Sequence, residues 1–241
     1  MNYSIAPGGL AAVLAHPDDE SFGCAGALAL AHDAGATTRL LVVTRGEAGS
    51  PDGTSNPGLG DQRESELICA ARAIGLDEVS LLDGYADGGV ADQPFDRLVD
   101  EITAWLADRR PAAVITFGPH GVTGHPDHIL VGSATRWAVE RLADAGTAPN
   151  AVYVISPIFD PSGNRYDLSG EEQSATHRIE ITHVAGRKVE ALGCHASQAD
   201  IGDELAALKA AVDSGGPIYE GYHRVRPLVP APHPEFDSVL L

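Results

Sequence analysis

The amino-acid sequence predicts an α/β protein, a three-layer α/β/α sandwich built on a mostly parallel sheet. Three observations carry that expectation. Short aliphatic runs alternate with segments of helical period over the first two-thirds of the 241 residues. The runs are apolar throughout rather than at every second residue, as in strands covered on both faces. Hydrophobic residues make up 44% of the chain, enough for a full core.

The first strand is read at residues 10–15 (LAAVLA), followed by a helix over 22–34 that Gly35 closes. Residues 38–44 (TRLLVVT) form the second strand. The Gly-, Pro- and Ser-rich stretch from 45 to 60 is longer than a connector needs and reads as a site loop. Asp61 is the expected N-cap of a helix over 62–74, with Leu67, Ile68, Ala71 and Ile74 on one face and Gly75 behind it. A short strand at 79–82 and an amphipathic helix at 95–108 come next. Residues 111–117 (PAAVITF) are the fourth strand, 127–142 a helix and 151–156 (AVYVIS) the fifth strand. Beyond residue 159 the pattern changes to a strand at 176–181, helices near 185–195 and 203–212, and a Pro-rich tail. No linker sets this part off. Residues 1–241 are therefore read as a single domain, with 160–241 an extension or lid whose tail supplies an edge strand to the main sheet.

Sixteen Lys and Arg against 34 Asp and Glu leave a net charge of −18. Nucleic acid and anionic membranes bind basic surfaces, so neither is an expected partner. Cys24, Cys69 and Cys194 cannot form a fully paired framework and lack C-x-x-C spacing, which favours a reducing, cytoplasmic setting. Residues 10–15 are too short for a signal-peptide core, and the longest uncharged apolar stretch, 22–31, is far short of a membrane span. The oligomeric state is left open, a homo-oligomer included.

Two segments resemble each other: His16-Pro17-Asp18-Asp19-Glu20 and His125-Pro126-Asp127-His128. Each follows a predicted strand and precedes a helix. In an open parallel sheet, residues just past the carboxyl ends of strands line the ligand crevice where strand order reverses. A strand order of 3-2-1-4-5 brings both motifs to that crevice. One His-Pro-Asp at a helix start is ordinarily a cap; two near-copies after central strands point to a shared site. His16 and Asp19 lie three apart, as do His125 and His128, so each loop can aim two groups at one point. Two imidazoles and a carboxylate, His16, Asp19 and His128, suit a catalytic divalent metal with an open position. Asp18 is then free to act as general base on the attacking water, and His125 to stabilise the oxyanion or protonate the leaving nitrogen.

The segments Ala15-His16-Pro17-Asp18-Asp19-Glu20 and Gly124-His125-Pro126-Asp127-His128 are similar to those of the PIG-L/LmbE family of zinc-dependent N-deacetylases. Thr44-Arg45-Gly46-Glu47, Arg63-Glu64-Ser65-Glu66 and residues 188–198 (KVEALGCHASQ) follow in family order. The resemblance implies a Rossmann-like fold and hydrolysis of an N-acyl group, usually acetyl, from an amino-sugar derivative. It implies zinc ligands at His16, Asp19 and His128, a base at Asp18, and an oxyanion-stabilising His125 with Asp127 as its charge partner. Arg63 and Asp87 align with positions that hold sugar hydroxyls in some relatives. Where some relatives carry a Tyr two residues before the second motif, this chain has Thr123.

Glu47 is read as a further substrate contact or as an organiser of the 45–60 loop with Arg45. His195 is read as lining the pocket or as a structural histidine. The expected cofactor is one Zn²⁺ per chain, with Fe²⁺ acceptable to the same donor set. The rival readings are an amidase removing a larger acyl group from a glucosaminyl-thiol conjugate, a non-catalytic sugar-binding module, and a metal phosphoesterase. The last two sit poorly with an intact Asp18 and with a single metal triad.

Overall fold

The computed structural model describes residues 8–49, 56–157, 170–198 and 201–227. Their strands form one seven-stranded sheet. In chain order the elements are β1 (Leu10–Leu14), α1 (Asp19–Gly23), α2 (Ala25–Asp33), β2 (Thr38–Val42), α3 (Leu59–Ile74), β3 (Glu78–Leu81), α4 (Phe95–Arg109), β4 (Ala113–Thr116), α5 (Gly121–Gly124), α6 (Pro126–Asp144), β5 (Ala151–Ile155), β6 (His177–Glu180), α7 (Ala185–Cys194), α8 (Ile201–Asp213) and β7 (Tyr219–Arg226). The order across the sheet is β3-β2-β1-β4-β5-β7-β6. The first five strands run parallel, Leu10 facing Thr38 on one side and Ala113 on the other. β1, β4 and β5 are buried at every position, which is why their sequences do not alternate. Helices α2, α3 and α7 pack together, as do α4 and α6. The chain runs outward from β1 through β2 and β3, then jumps back to β4. The gap between β1 and β4 is thus the reversal point, and both His-Pro-Asp segments follow those two strands.

Three readings of the sequence are corrected by the fold. The helix expected over 22–34 is two helices, α1 and α2, broken at Cys24. The cause is distant: the Glu220 carboxylate on β7 accepts from the Gly26 and Ala27 amides at 2.9 and 2.8 Å, capping a fresh helix start. The third helix begins at Leu59, before the expected cap Asp61. The edge strand expected of the tail is instead β7, inserted antiparallel between β5 and β6, and β6 is the edge. Hydropathy hides β7 because its buried Glu220 and His223 are polar. Glu220 pairs with Lys188 at 2.7 Å, and His223 donates from Nδ1 to the Ser174 carbonyl at 2.6 Å. The Pro-rich tail beyond residue 227 and residues 50–55 of the site loop lie outside the described residues.

Packing of α3 on α7 brings the Cα atoms of Cys69 and Cys194 to 5.8 Å, and the two form a disulfide; Cys24 is free and buried. A separation of 125 residues left no spacing signal for this pair, and with Cys24 free the three cysteines are, as expected, not fully paired. Among the described residues no helix is long and apolar enough to cross a membrane.

Candidate active site

The first motif turns sharply out of β1. Asp18 sits at φ 108°, a backbone conformation that non-glycine residues adopt at a cost of about 1–3 kcal/mol. Two buried carboxylates hold the turn. Asp19 Oδ2 accepts from the His16 and Ala15 amides at 2.7 and 3.2 Å, and Glu20 Oε2 accepts from the Asp18 amide at 3.0 Å. Glu20 also accepts from His195 Nε2 at 2.8 Å. Both members of that pair are fully buried. Burial disfavours both charges, yet mutual attraction holds Glu20 below and His195 above its usual pKa. Of the two readings of His195, pocket-lining or structural, its complete burial against Glu20 fits the structural one.

The second motif is locally simpler. His125 is extended before Pro126 (φ −63°, ψ 127°), Pro126 opens α6, and His125 Nδ1 accepts from the Asp127 amide at 3.2 Å as the helix cap. The loop before it is pinned from afar. Glu172, wholly buried, accepts from the His120 and Val122 amides at 2.7 and 2.8 Å. Nothing in the sequence around Glu172 signals this.

The two motifs meet with defined tautomers. His128 Nδ1 faces the Gly121 carbonyl at 2.9 Å and must donate to it, leaving a lone pair on Nε2. Its ring stacks on Phe117, centroids 4.1 Å apart. His16 Nε2 lies 3.0 Å from Asp87 and 3.2 Å from Asp127, so it carries the proton there and turns Nδ1 inward. Nδ1 of His16 and Nε2 of His128 then stand 3.1 Å apart. Asp19 Oδ1, the oxygen not engaged with backbone, lies 3.3 Å from His128 Nε2. Two imidazole lone pairs and a carboxylate oxygen converging in a buried space call for a cation. A proton alone answers the same demand: burial pulls the His16 pKa down, but Asp127 and Asp87 override it and push it up to about 10. The His125 ring also closes on this point, with ligand-capable atoms of His16, His125 and His128 all within 4.8 Å of one another.

The Asp127 carboxylate lies within 4.8 Å of a His125 nitrogen, as the resemblance implied, but its hydrogen bonds go elsewhere. Its carboxylate takes His16 Nε2 together with the Gly88 and Val90 amides at 2.8 and 3.3 Å. Asp127 favours a charge on His125, but its attraction is outweighed. Burial and the neighbouring His16 and His128 depress the His125 pKa. Because its Nδ1 accepts from an amide, neutral His125 keeps its proton on Nε2, the tautomer of a hydrogen-bond donor.

Asp18 Oδ2 rests 2.8 Å from the buried Arg63 guanidinium. Burial and the adjacent Asp19 raise its pKa well above the ordinary carboxylate value, with Arg63 opposing. Arg63 borders the cavity, but its guanidinium is already tied to Asp18, the Gly46 carbonyl at 2.8 Å and the Pro17 carbonyl. A Cβ on Gly46 would meet it at 2.4 Å, which explains the glycine of Thr44-Arg45-Gly46-Glu47. Glu47 is exposed and accepts from the Asp87 amide at 3.0 Å, while Arg45 pairs with Glu64. Glu47 thus organises the loop that carries Asp87. Asp87 itself borders the cavity and orients His16. One cavity of about 850 Å³ takes in His16, Asp18, Asp19, Asp87, His125 and His128.

A 1D-myo-inositol 2-acetamido-2-deoxy-alpha-D-glucopyranoside deacetylase from Nakamurella multipartita is 30% identical over 96% of this chain and 94% of the relative. The structure of N,N'-diacetylchitobiose deacetylase from Pyrococcus horikoshii superposes with a TM-score of 0.68 at 21% identity, covering 89% of this chain and 82% of that one. So does 4-carboxy-2-hydroxymuconate hydratase from Pseudomonas putida, with a TM-score of 0.68 at 19% identity over 93% and 99%. These two structures show a shared fold only, and their different reactions mean that chemistry must be argued from the site. Residues 11–139, more than half of the chain and spanning both histidine motifs, match the family described as PIG-L: GlcNAc-PI de-N-acetylase, and the chain belongs to that family.

Proposed function

We propose that the protein is a metal-dependent hydrolase that removes an N-acetyl group from an amino-sugar substrate. The observation that carries this reading is the convergence of the His16, His128 and Asp19 lone pairs on one point, beside a carboxylate, Asp18, whose pKa is raised. His16, Asp19 and His128 would hold the ion. Two nitrogens and one oxygen suit Zn²⁺ and also Fe²⁺. A bound divalent ion supplies a positive charge that polarises the amide carbonyl and lowers the pKa of water toward about 7.

The chain's own groups do the rest. Asp18 takes the proton from the attacking water; its raised pKa makes it a stronger base than an ordinary carboxylate, and Arg63 keeps it aimed. Neutral His125 donates from Nε2 to the oxygen that gains negative charge. Asp18 then returns its proton to the departing nitrogen as the C–N bond breaks, giving the free amine and acetic acid, which ionises to acetate. Asp127 and Asp87 act through His16, fixing its ring and tautomer.

The relatives named as deacetylases of glucosaminyl-inositol support an acetyl group over a larger acyl, and a small-molecule partner over a macromolecule. The test is a mass-spectrometric screen of N-acetylated amino sugars with metal-loaded protein. Loss of one acetyl group, abolished by a chelator and restored by Zn²⁺ or Fe²⁺, is the expected result. Intact N-acetyl substrates alongside cleavage of bulky amide conjugates or phosphate esters would replace this reading with one of its rivals.

A further inference from the structure

The cavity is larger than the catalytic cluster needs, and its far wall has a different character. At about 850 Å³ it lies in the upper part of the range, about 300–1,000 Å³, of small-molecule sites. The cluster occupies the end between β1 and β4. From there the cavity follows the carboxyl edge of the sheet past β5 and β7 to β6, bordered by Phe22, Ile155, Ile181, Ile218 and Tyr219. Three strand spacings separate β4 from β6, roughly 14 Å. The outer boundary is α8, whose Ala207, Leu208 and Ala211 recur at helical spacing on the cavity side. Among the described residues of α8 only Ile201 is buried, so this apolar face is not closed against the core.

Lys188 and Glu220 on this wall are engaged within the protein, and Glu204 of α8 also borders the cavity. Lys188 Nζ donates to the Phe22 carbonyl and to Glu220, each at 2.7 Å. Glu220 also takes the Gly26 and Ala27 amides and the Tyr222 hydroxyl. The Arg178 guanidinium lies over the Tyr219 ring, 4.3 Å from its centroid. Phe22, Ile155, Ile181, Leu208, Ile218 and Tyr219 make this wall mostly apolar, and an alkyl or aryl group entering from the catalytic end would pack against them.

We propose that this wall is a binding arm for an alkyl or aryl aglycone, so that the preferred substrate is an N-acetylated amino sugar with an apolar group on its anomeric oxygen. The placement of the sugar rests on the deacetylase reading. The acetyl end belongs at His125 and His128, where Phe117 stacks on the His128 ring. A two-carbon acyl group placed there cannot reach across to β6, and an aglycone can.

The test is direct binding by calorimetry of methyl, butyl and hexyl glycosides of glucosamine, the free-amine products, so that no turnover is required. Affinity should climb by up to about fourfold per buried methylene and by at least about tenfold from methyl to hexyl, with an increasingly negative heat-capacity change. Leu208→Asp should flatten the series, and Ala211→Trp should do so by filling the arm instead of charging it. Equal affinity across the series, or a slope that survives both substitutions, would overturn the proposal. A gain that follows an N-hexanoyl chain and not a hexyl aglycone would overturn the assignment to the aglycone. A chain-length gain in a protein that hydrolyses none of the acetylated sugars would uphold the arm while the deacetylase reading fails. Hydrolysis without chain-length dependence would do the reverse.

Discussion

The two His-Pro-Asp segments are near-copies in sequence and opposites in construction. The second is a helix start that its own residues specify: Pro126 at the first helical position, His125 as the cap, Asp127 in the first turn. The first is a turn that no local rule favours, with Asp18 in the left-handed half of backbone space. It is held by Asp19 folding back on the Ala15 and His16 amides, by Glu20 backed by His195 just past α7, and by Arg63 of α3. The difference shows in the proposed roles. The conformation at Asp18 that the rest of the fold imposes sets the base beside the ligands instead of on the ion, whereas the regular helix start only has to present His125 and His128 one turn apart.

The largest expected effect falls on the proposed shared ligands. His128→Ala should empty the metal site, read by elemental analysis, and lower kcat/KM by more than the ~10⁴-fold that loss of a general base alone can cost. Retained metal would transfer the ligand role to His125, whose ring is within reach of the same point. Next comes the imposed turn. Asp18→Asn should lower kcat by about 10²–10⁴-fold with metal content unchanged; a metal-free variant would mean that Asp18 and Asp19 exchange roles. For the second motif, His125→Ala should cost about 10²–10³-fold in kcat, as for one oxyanion donor, and leave metal affinity intact.

Asp127→Asn separates the two motifs further. If Asp127 serves His16 across the site and not His125 beside it, metal affinity should fall by about 10–100-fold, as for other carboxylates behind a histidine ligand. A selective loss of kcat with unchanged affinity would return Asp127 to His125. The smallest effect tests the claim of local construction. Pro126→Ala should lower stability by only about 0.4–1 kcal/mol, through the unfolded chain's freedom, with activity maintained. A large loss of activity in a stable variant would show that the second motif, like the first, depends on imposed geometry.

The alternation of apolar runs and helices, the 3-2-1-4-5 core of the sheet, and the convergence of His16, Asp19, His125 and His128 are all readable from residue order. Periodicity reports which faces are buried, and a parallel sheet with one reversal leaves few places where two strand-end motifs can meet. Other features were decided only by the folded molecule, because each depends on a partner far away in the chain. Glu220 starts α2 from 194 residues downstream. Asp127 crosses to His16 over 111 residues, and Cys69 reaches Cys194 over 125. A buried polar group reveals nothing of its partner through hydropathy, since the pairing that makes its burial tolerable is a property of packed surfaces. Sequence alone could therefore name the groups at the site, but which carboxylate serves which histidine, and which tautomer results, was settled when β1, β4, α3 and α7 came together.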